Sequence, residues 1–199
     1  MLNAYLAGLA VGVSLIIAIG AQNATLLRVG LRRHHVGVAV LVCILGDATL
    51  IVLGIGGLGS VLTRHHLALE ALRWLGAAYL GWFAAVSLRS AWRGGQHLDE
   101  DTAPTRSNIF LTMAAVTWLN PHVYVDTVMV LGTVSTQFAN HAWWFGAGAL
   151  TCSTLWFTAL GFGAGFLRPV FQRSRTWQIL DAGVGVIVAT LAISLVLAG

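Results

Sequence analysis

The sequence predicts an all-α integral membrane protein of six transmembrane helices, arranged as two inverted three-helix halves with both termini outside. Three observations carry that prediction. Of the 199 residues, 57% are hydrophobic and 9% charged, and the mean hydropathy of +0.81 lies far above that of a soluble domain. Apolar stretches of about 20 residues, the length needed to cross a bilayer core, recur at 2–27, 37–62, 67–92, 108–136, 143–166 and 177–198. The arginines, finally, sort by loop.

Helix 1 (2–27) has no basic segment ahead of its apolar run, so it is expected to stay as a span rather than be cleaved. It is interrupted by the polar run Gly20, Ala21, Gln22, Asn23. Helix 2 (37–62) holds Asp47 in "LGDATL" and "LGIGG" towards its end; helix 3 (67–92) runs up to a connection unlike the others. That connection, 93–107, reads "RGGQHLDEDTAPTRS": a glycine pair, an acidic run and Pro104 mark a solvated linker between a first half, 1–92, and a second, 108–199. Helix 4 (108–136) is interrupted by "LNPH", helix 5 (143–166) carries "LGFGA", and helix 6 (177–198) places Asp181 near its start, where a carboxylate favours a helix N-terminus. No soluble domain is expected besides these.

All eleven basic residues are arginine, against seven acids, and the isoelectric point near 9.8 raises nucleic acid as a partner. The positions exclude it, because the arginines fall in short loops rather than on one face. Arg28, Arg32 and Arg33 follow helix 1, Arg89, Arg93 and Arg106 bracket the linker, and Arg168, Arg173 and Arg175 separate helices 5 and 6. Only Arg64 and Arg73 lie on the opposite side, so the positive-inside rule puts the first three loops, linker included, in the cytoplasm. Trp74, Trp92, Trp143, Trp144 and Trp177 lie near span ends, as interfacial anchors do. Cys43 and Cys152 sit in apolar segments without metal or redox spacing and read as packing residues.

Three helices per half is an odd number, so likeness between the halves implies inverted topology, a common transporter plan. "LGIGG" echoes "LGFGA", though close helix packing explains such glycines equally well. The paired interruptions "GAQN" and "LNPH" are the better sign.

Those interruptions carry the chemistry. A carboxylate at the bilayer centre costs ~2.5 to 3.5 kcal/mol on the lenient insertion scale, yet Asp47 and Asp126 both lie deep in spans with no internal lysine or arginine beside them. Each must therefore hold a proton or meet a cation. Pro121 removes an amide hydrogen and clashes with the preceding turn, freeing a carbonyl near Thr117 and breaking the helix. A broken helix exposes backbone groups that hold a ligand. His122 and Asp126, four apart, share a face if the helix resumes beyond the proline. Plainer readings stand beside these: Pro121 as a packing kink, Asn120 satisfying the freed backbone, His122 as a core histidine.

The stretches "GAQNATLLRVGLRR" (20–33), "CILGDATLIVLGIGG" (43–57), "LRWLGAAYLGWFA" (72–84) and "TWLNPHVYVDTVMVLG" (117–132) together resemble the lysine/arginine exporter (LysE) family, in order and over nearly the whole chain. The last is the most specific. The resemblance implies a bacterial inner-membrane exporter of basic amino acids, with Gln22, Asn23, Asp47, Asn120, Pro121 and Asp126 at the family's polar motif positions. One departure stands out: the family's Gly-Pro-Gln-Asn reads Gly20-Ala21-Gln22-Asn23 here, so Gly20 must supply the flexibility of the helix 1 break.

The residues then assign roles. Asp47 and Asp126 alternate between the substrate's cationic group and the coupling proton, while Gln22, Asn23 and Asn120 hold its α-carboxylate and α-amino groups, with His122 beside them. No nucleotide-binding motif, catalytic constellation or metal-hydrolase pattern is present, so neither a cofactor nor an enzymatic activity is expected. The partners are a small solute, its coupling ion and the lipid bilayer, and the glycine-rich helices also permit a homo-oligomer. The residues alone leave open a neutral-solute exporter, a divalent-metal exporter using His122 and Asp126, and a membrane scaffold without transport.

Overall fold

In the computed structural model of the chain, residues 1–16, 20–57, 66–92, 105–119, 123–167, 169 and 174–197 are described. Among them every regular element is helical: α1 (Leu2–Ile16), α2 (Ala21–Arg32), α3 (Val36–Ile55), α4 (His66–Trp92), α5 (Arg106–Trp118), then a π-helical stretch, Tyr124–Leu131, running into α6 (Gly132–Thr136), then α7 (Ala142–Gly163) and α8 (Ser174–Leu197). Short 3₁₀ turns, Ala139–His141 and Ala164–Leu167, flank α7.

The first predicted helix is two helices. α1 and α2 bend by 81° across a break of four residues, and Gly20, extended at φ −103° and ψ −177°, stands immediately before α2. α3 ends at Ile55, where the glycine pair forms a turn with Gly57 at φ 90°, a conformation that glycine tolerates and side chains resist; residues 58–62 of the second predicted helix lie outside the described residues. The fourth, 108–136, is also divided. α5 starts at Arg106, inside the stretch read as linker, since the Thr105 hydroxyl accepts from the Asn108 amide and caps it. α5 ends at Trp118, and the Pro121 break itself lies outside the described residues, as do Asn120, His122 and linker residues 93–104.

α3, Ala142–Leu167 and Arg175–Ser194 are each long and apolar enough to cross a bilayer, and α1 with α2 makes a fourth such unit as a bent pair. Large apolar side chains on these and neighbouring helices face outward, among them Leu41, Leu45, Val52, Trp82, Leu155 and Ile193. An apolar exterior of that extent is unfavourable in water and suits lipid. The inward faces build the core, where Leu26, Cys43, Leu80, Met113, Phe157 and Val188 pack together.

α7 is the central post, touching α1, α2 and α3, while α4 packs chiefly on α8. Its approach to α1 needs glycine on both sides: a Cβ on Gly8 would run into the Phe145 carbonyl, and one on Gly148 into the Tyr5 carbonyl. Small residues at a crossing let backbones meet, the usual means of helix association in membranes.

Two sequence expectations change here. Asp181 is not an edge residue favouring a helix start; it is 2% exposed and paired with Arg28, whose Nη2 donates to its Oδ1 at 2.6 Å. Trp177 is buried against Leu31 and Ala164 rather than anchored at an interface, because α8 begins at Ser174 and carries it inward. Trp74, Trp92, Trp143 and Trp144 are exposed.

Candidate functional site

The break between α1 and α2 leaves the start of α2 without a side-chain cap on its N-cap residue, Gly20, so first-turn amides point outward with the positive end of the helix dipole. Asn23 reaches back across the break: its Nδ2 donates to the Ile16 carbonyl at 2.9 Å, while its Oδ1 accepts from the Trp156 indole of α7 at 3.3 Å. The break is thus fastened by a buried amide, 8% exposed, and the sequence lacks the proline that would have imposed it.

Gln22, in the same turn, is 7% exposed and lies beside the Asp47 carboxylate and the Cys43 thiol of α3. Its Nε2 is buried and reaches no acceptor among the described residues. Asp47, partly buried, accepts at Oδ2 from the Ser153 hydroxyl of α7 at 2.7 Å. Among the described residues no cationic side chain pairs with it.

A second orphan stands nearby. Thr117, near the end of α5, is fully buried with Oγ1 unpartnered, and its methyl group presses on Gly46, the residue before Asp47. α5 ends at Trp118, and the Trp118 carbonyl accepts from the Tyr124 hydroxyl at 2.9 Å. Buried polar groups are nearly always paired, so two orphans flanking one carboxylate mark a place built for polar atoms that the described residues do not supply.

The structure therefore brings Gln22, Asn23 and Asp47 together, and adds Ser153, Thr117 and Trp156, which the sequence did not single out. It places the backbone of Asp126 in the π-helical stretch Tyr124–Leu131, beside α3. Asn120, Pro121 and His122 lie outside the described residues. Among the described residues no three His, Cys, Asp or Glu side chains converge on a metal position.

A lipid-facing molecule whose described elements are all helical, with a broken helix end meeting a carboxylate that no described cation pairs, has the plan of a small-solute membrane transporter. The comparisons with known proteins sharpen that class. Residues 13–199 match the LysE type translocator family. A protein named arginine exporter protein ArgO, from Pectobacterium carotovorum subsp. carotovorum (strain PC1), is 38% identical over 198 residues, 98% of this chain and 97% of its own. Of the relatives named "Putative amino-acid transporter", one of Aeromonas salmonicida is 42% identical over 193 residues, 96% of this chain and 94% of its own. Another, of Mycobacterium tuberculosis (strain ATCC 25618 / H37Rv), is 40% identical over 178 residues, 89% of each chain. No solved structure matches. The chain belongs to the LysE family of translocators; it is an integral membrane transporter rather than an enzyme.

Proposed function

We propose that the protein is a secondary-active exporter of basic L-amino acids, arginine or lysine, in the bacterial inner membrane, driven by proton antiport. The observation that carries the reading is the Asp47 carboxylate, which faces the broken end of α2 beside the unpartnered Gln22 amide with no cation to neutralise it among the described residues. At membrane depth such a group holds either a proton or a ligand's cation. Moving a cation outward against an inside-negative potential costs ~2.3 kcal/mol per 100 mV, and a proton returning on the same carboxylate cancels that charge. Asp126 is the second carrier. Gln22, Asn120 and His122 hold the polar groups of the substrate, Asn23 joins them when the break rearranges, and Gly20 and Pro121 give the two breaks their freedom. The relatives named for arginine export and amino-acid transport support the substrate class.

Six spans in two inverted halves, joined by the cytoplasmic linker 93–107, with both termini outside, are part of the same reading. α4 has 27 residues, ~40 Å of helix, and α5 with the π-helical stretch makes a second divided span. The packing of α3 on α7 and of α4 on α8 pairs the helices that such a symmetry relates, and the arginine bias supports the orientation.

Counterflow of labelled arginine into reconstituted liposomes, with the pH gradient and potential set separately, tests the proposal. Arginine flux driven by a pH gradient at clamped potential is expected. Flux indifferent to that gradient overturns antiport, and equal competition by alanine overturns a basic substrate.

A further inference from the structure

Arg28 of α2 and Asp181 of α8 form a buried ion pair, and the Ser90 hydroxyl of α4 donates to the second oxygen of the same carboxylate at 2.6 Å. Three helices are thus tied at one carboxylate. The Arg28 guanidinium also lies over the Phe83 ring of α4, 5.9 Å from its centroid, and Phe83, Ser87 and Ser90 share one face of that helix by their spacing. Two polar atoms of the cluster stay loose: Arg28 Nε and the Ser87 hydroxyl are buried without a partner among the described residues. Buried polar groups are nearly always paired, so this arrangement is not the only one the cluster serves. A buried ion pair, moreover, adds little net stability over apolar packing, and a switch is among its best-attested uses. The pair stands at a seam, for α4 packs chiefly on α8, and α8 meets α2 over a short contact. Beside the seam a cavity of about 300 Å³ is walled by Thr25, Arg28, Phe83, Asn108 and Met113. It stops short of the Asp47 site: neither Gln22 nor Asp47 is among its described lining residues. Phe83 and Met113 of its wall belong to one packed apolar cluster with Ala21 and Cys43, the neighbours of Gln22 and Asp47.

We infer that the Arg28 to Asp181 pair is the latch of a cytoplasmic gate, closed in this structure, between that cavity and the Asp47 site. The inference rests on the export reading above, in whose orientation the Arg28 end of α2 faces the cytoplasm, and it supplies the barrier that alternation between two faces requires. α2 is a single helix from the Gly20 break to Arg33, which is left-handed at φ 57°. Gln22 at its start and Arg28, ~9 Å further along at 1.5 Å per residue, therefore move together. A solute that draws the start of α2 towards Asp47 pulls on Arg28 as well. Parting α2 from α4 and α8 breaks the pair, opens the packed cluster and lets water reach Arg28 Nε and the Ser87 hydroxyl. Because the pair is made only in the closed state, its loss shifts the population towards the open one.

Cys43, fully buried beside Gln22 and Asp47, reports the gate in full-length protein carrying Cys152→Ala. A membrane-impermeant methanethiosulfonate applied to the cytoplasmic face, in inside-out vesicles, should modify Cys43 slowly. Asp181→Asn keeps the volume of the side chain and strands only Arg28, which already touches water; it should raise that rate about ten-fold by shifting the closed-to-open balance. The rate from the outer face should not rise, and Asp181→Glu, which keeps the charge, should stay near the parent protein. A second measurement does not depend on Asp181→Asn accumulating. Bridging Arg28→Cys to Asp181→Cys with a bifunctional methanethiosulfonate, both native cysteines being replaced by alanine, should stop arginine counterflow until a reductant cuts the bridge. An unchanged Cys43 rate in accumulated Asp181→Asn protein, an equal rise from both faces, or counterflow through the bridged protein overturns the gate alone. Wild-type liposomes that move no amino acid in any gradient overturn the export reading and the gate with it.

Discussion

The Ser153 hydroxyl donates to Oδ2 of Asp47 at 2.7 Å, tying α7 to α3 at the carboxylate that carries the proposed mechanism. Nothing in the local sequence announces this bond. Thr151 and Thr154, its neighbours on α7, donate to backbone carbonyls one turn back, as hydroxyls in helices usually do. Ser153 instead reaches another helix, where it helps hold Asp47 against the Gln22 amide.

Replacing Ser153 with alanine should therefore cost transport more than folding. A single hydrogen bond to a charged acceptor contributes ~1.5 to 3 kcal/mol, so arginine export should fall roughly ten-fold while the accumulated protein stays near wild type. Export by Ser153→Ala within two-fold of wild type would show that the bond is incidental to the site.

The Arg28 to Asp181 pair predicts an asymmetry. The Asp181 side chain is 3% exposed and that of Arg28 22%, so a stranded carboxylate cannot reach water whereas a stranded guanidinium partly can. Arg28→Ala should lower stability by about 3 kcal/mol, in the range for breaking a buried pair. Asp181→Ala should cost less. Thermal unfolding in one detergent reads the order directly; the reverse order would mean that Ser90, which also donates to Asp181, satisfies it alone.

Gly148 gives a packing test. A leucine there must displace the Tyr5 backbone on α1, and overpacking typically costs ~1 to 3 kcal/mol. Gly148→Leu should abolish export and lower the thermal midpoint, whereas Gly183→Leu on α8, where a Cβ meets open space, should leave both unchanged. Equal behaviour of the two variants would refute the close crossing of α1 and α7.

The sequence made composition and polarity legible, and geometry only where composition implied it. The ends of α7 and α8 fall close to the apolar runs 143–166 and 177–198 because lipid-facing length sets them. The turn after α3 was not legible, since Gly56 and Gly57 are apolar by hydropathy and a positive φ has no hydropathic signature. "GAQN" marked the break before α2 but not its 81° bend, which depends on how α1 and α2 each pack on α7. The π-helical winding of Tyr124–Leu131 was hidden because face arguments such as His122 with Asp126 presume 3.6 residues per turn. Arg28 and Asp181 are separated by 153 positions, so only the folded chain shows that they meet.

Orientation decides which gradients act on an antiporter. With nine arginines on one side and two on the other, a reporter fused after Gly199 should lie outside and one inserted within 94–105 in the cytoplasm. Termini on opposite faces would mean that one of the six stretches does not span, with α4 or the divided α5 region the first to re-examine.

The sharpest exposure of the mechanism is at its two carboxylates. Asp47→Asn and Asp126→Asn nearly preserve volume and remove the desolvation cost of a membrane carboxylate, so accumulation should hold or rise. Export should not. An amide neither pairs with a guanidinium nor carries the returning proton, and at Asp47 it also meets the Ser153 hydroxyl and the Gln22 amide, groups that remain but have no charge to stabilise. Each variant should therefore lose arginine-driven proton movement, read by a pH-sensitive dye trapped in liposomes. A neutral-solute exporter that uses these groups only as hydrogen-bond partners would keep substantial flux in at least one amide variant. Arginine export matching wild type within two-fold at both pH 6 and pH 8, in both variants, would remove the carboxylates from the mechanism altogether.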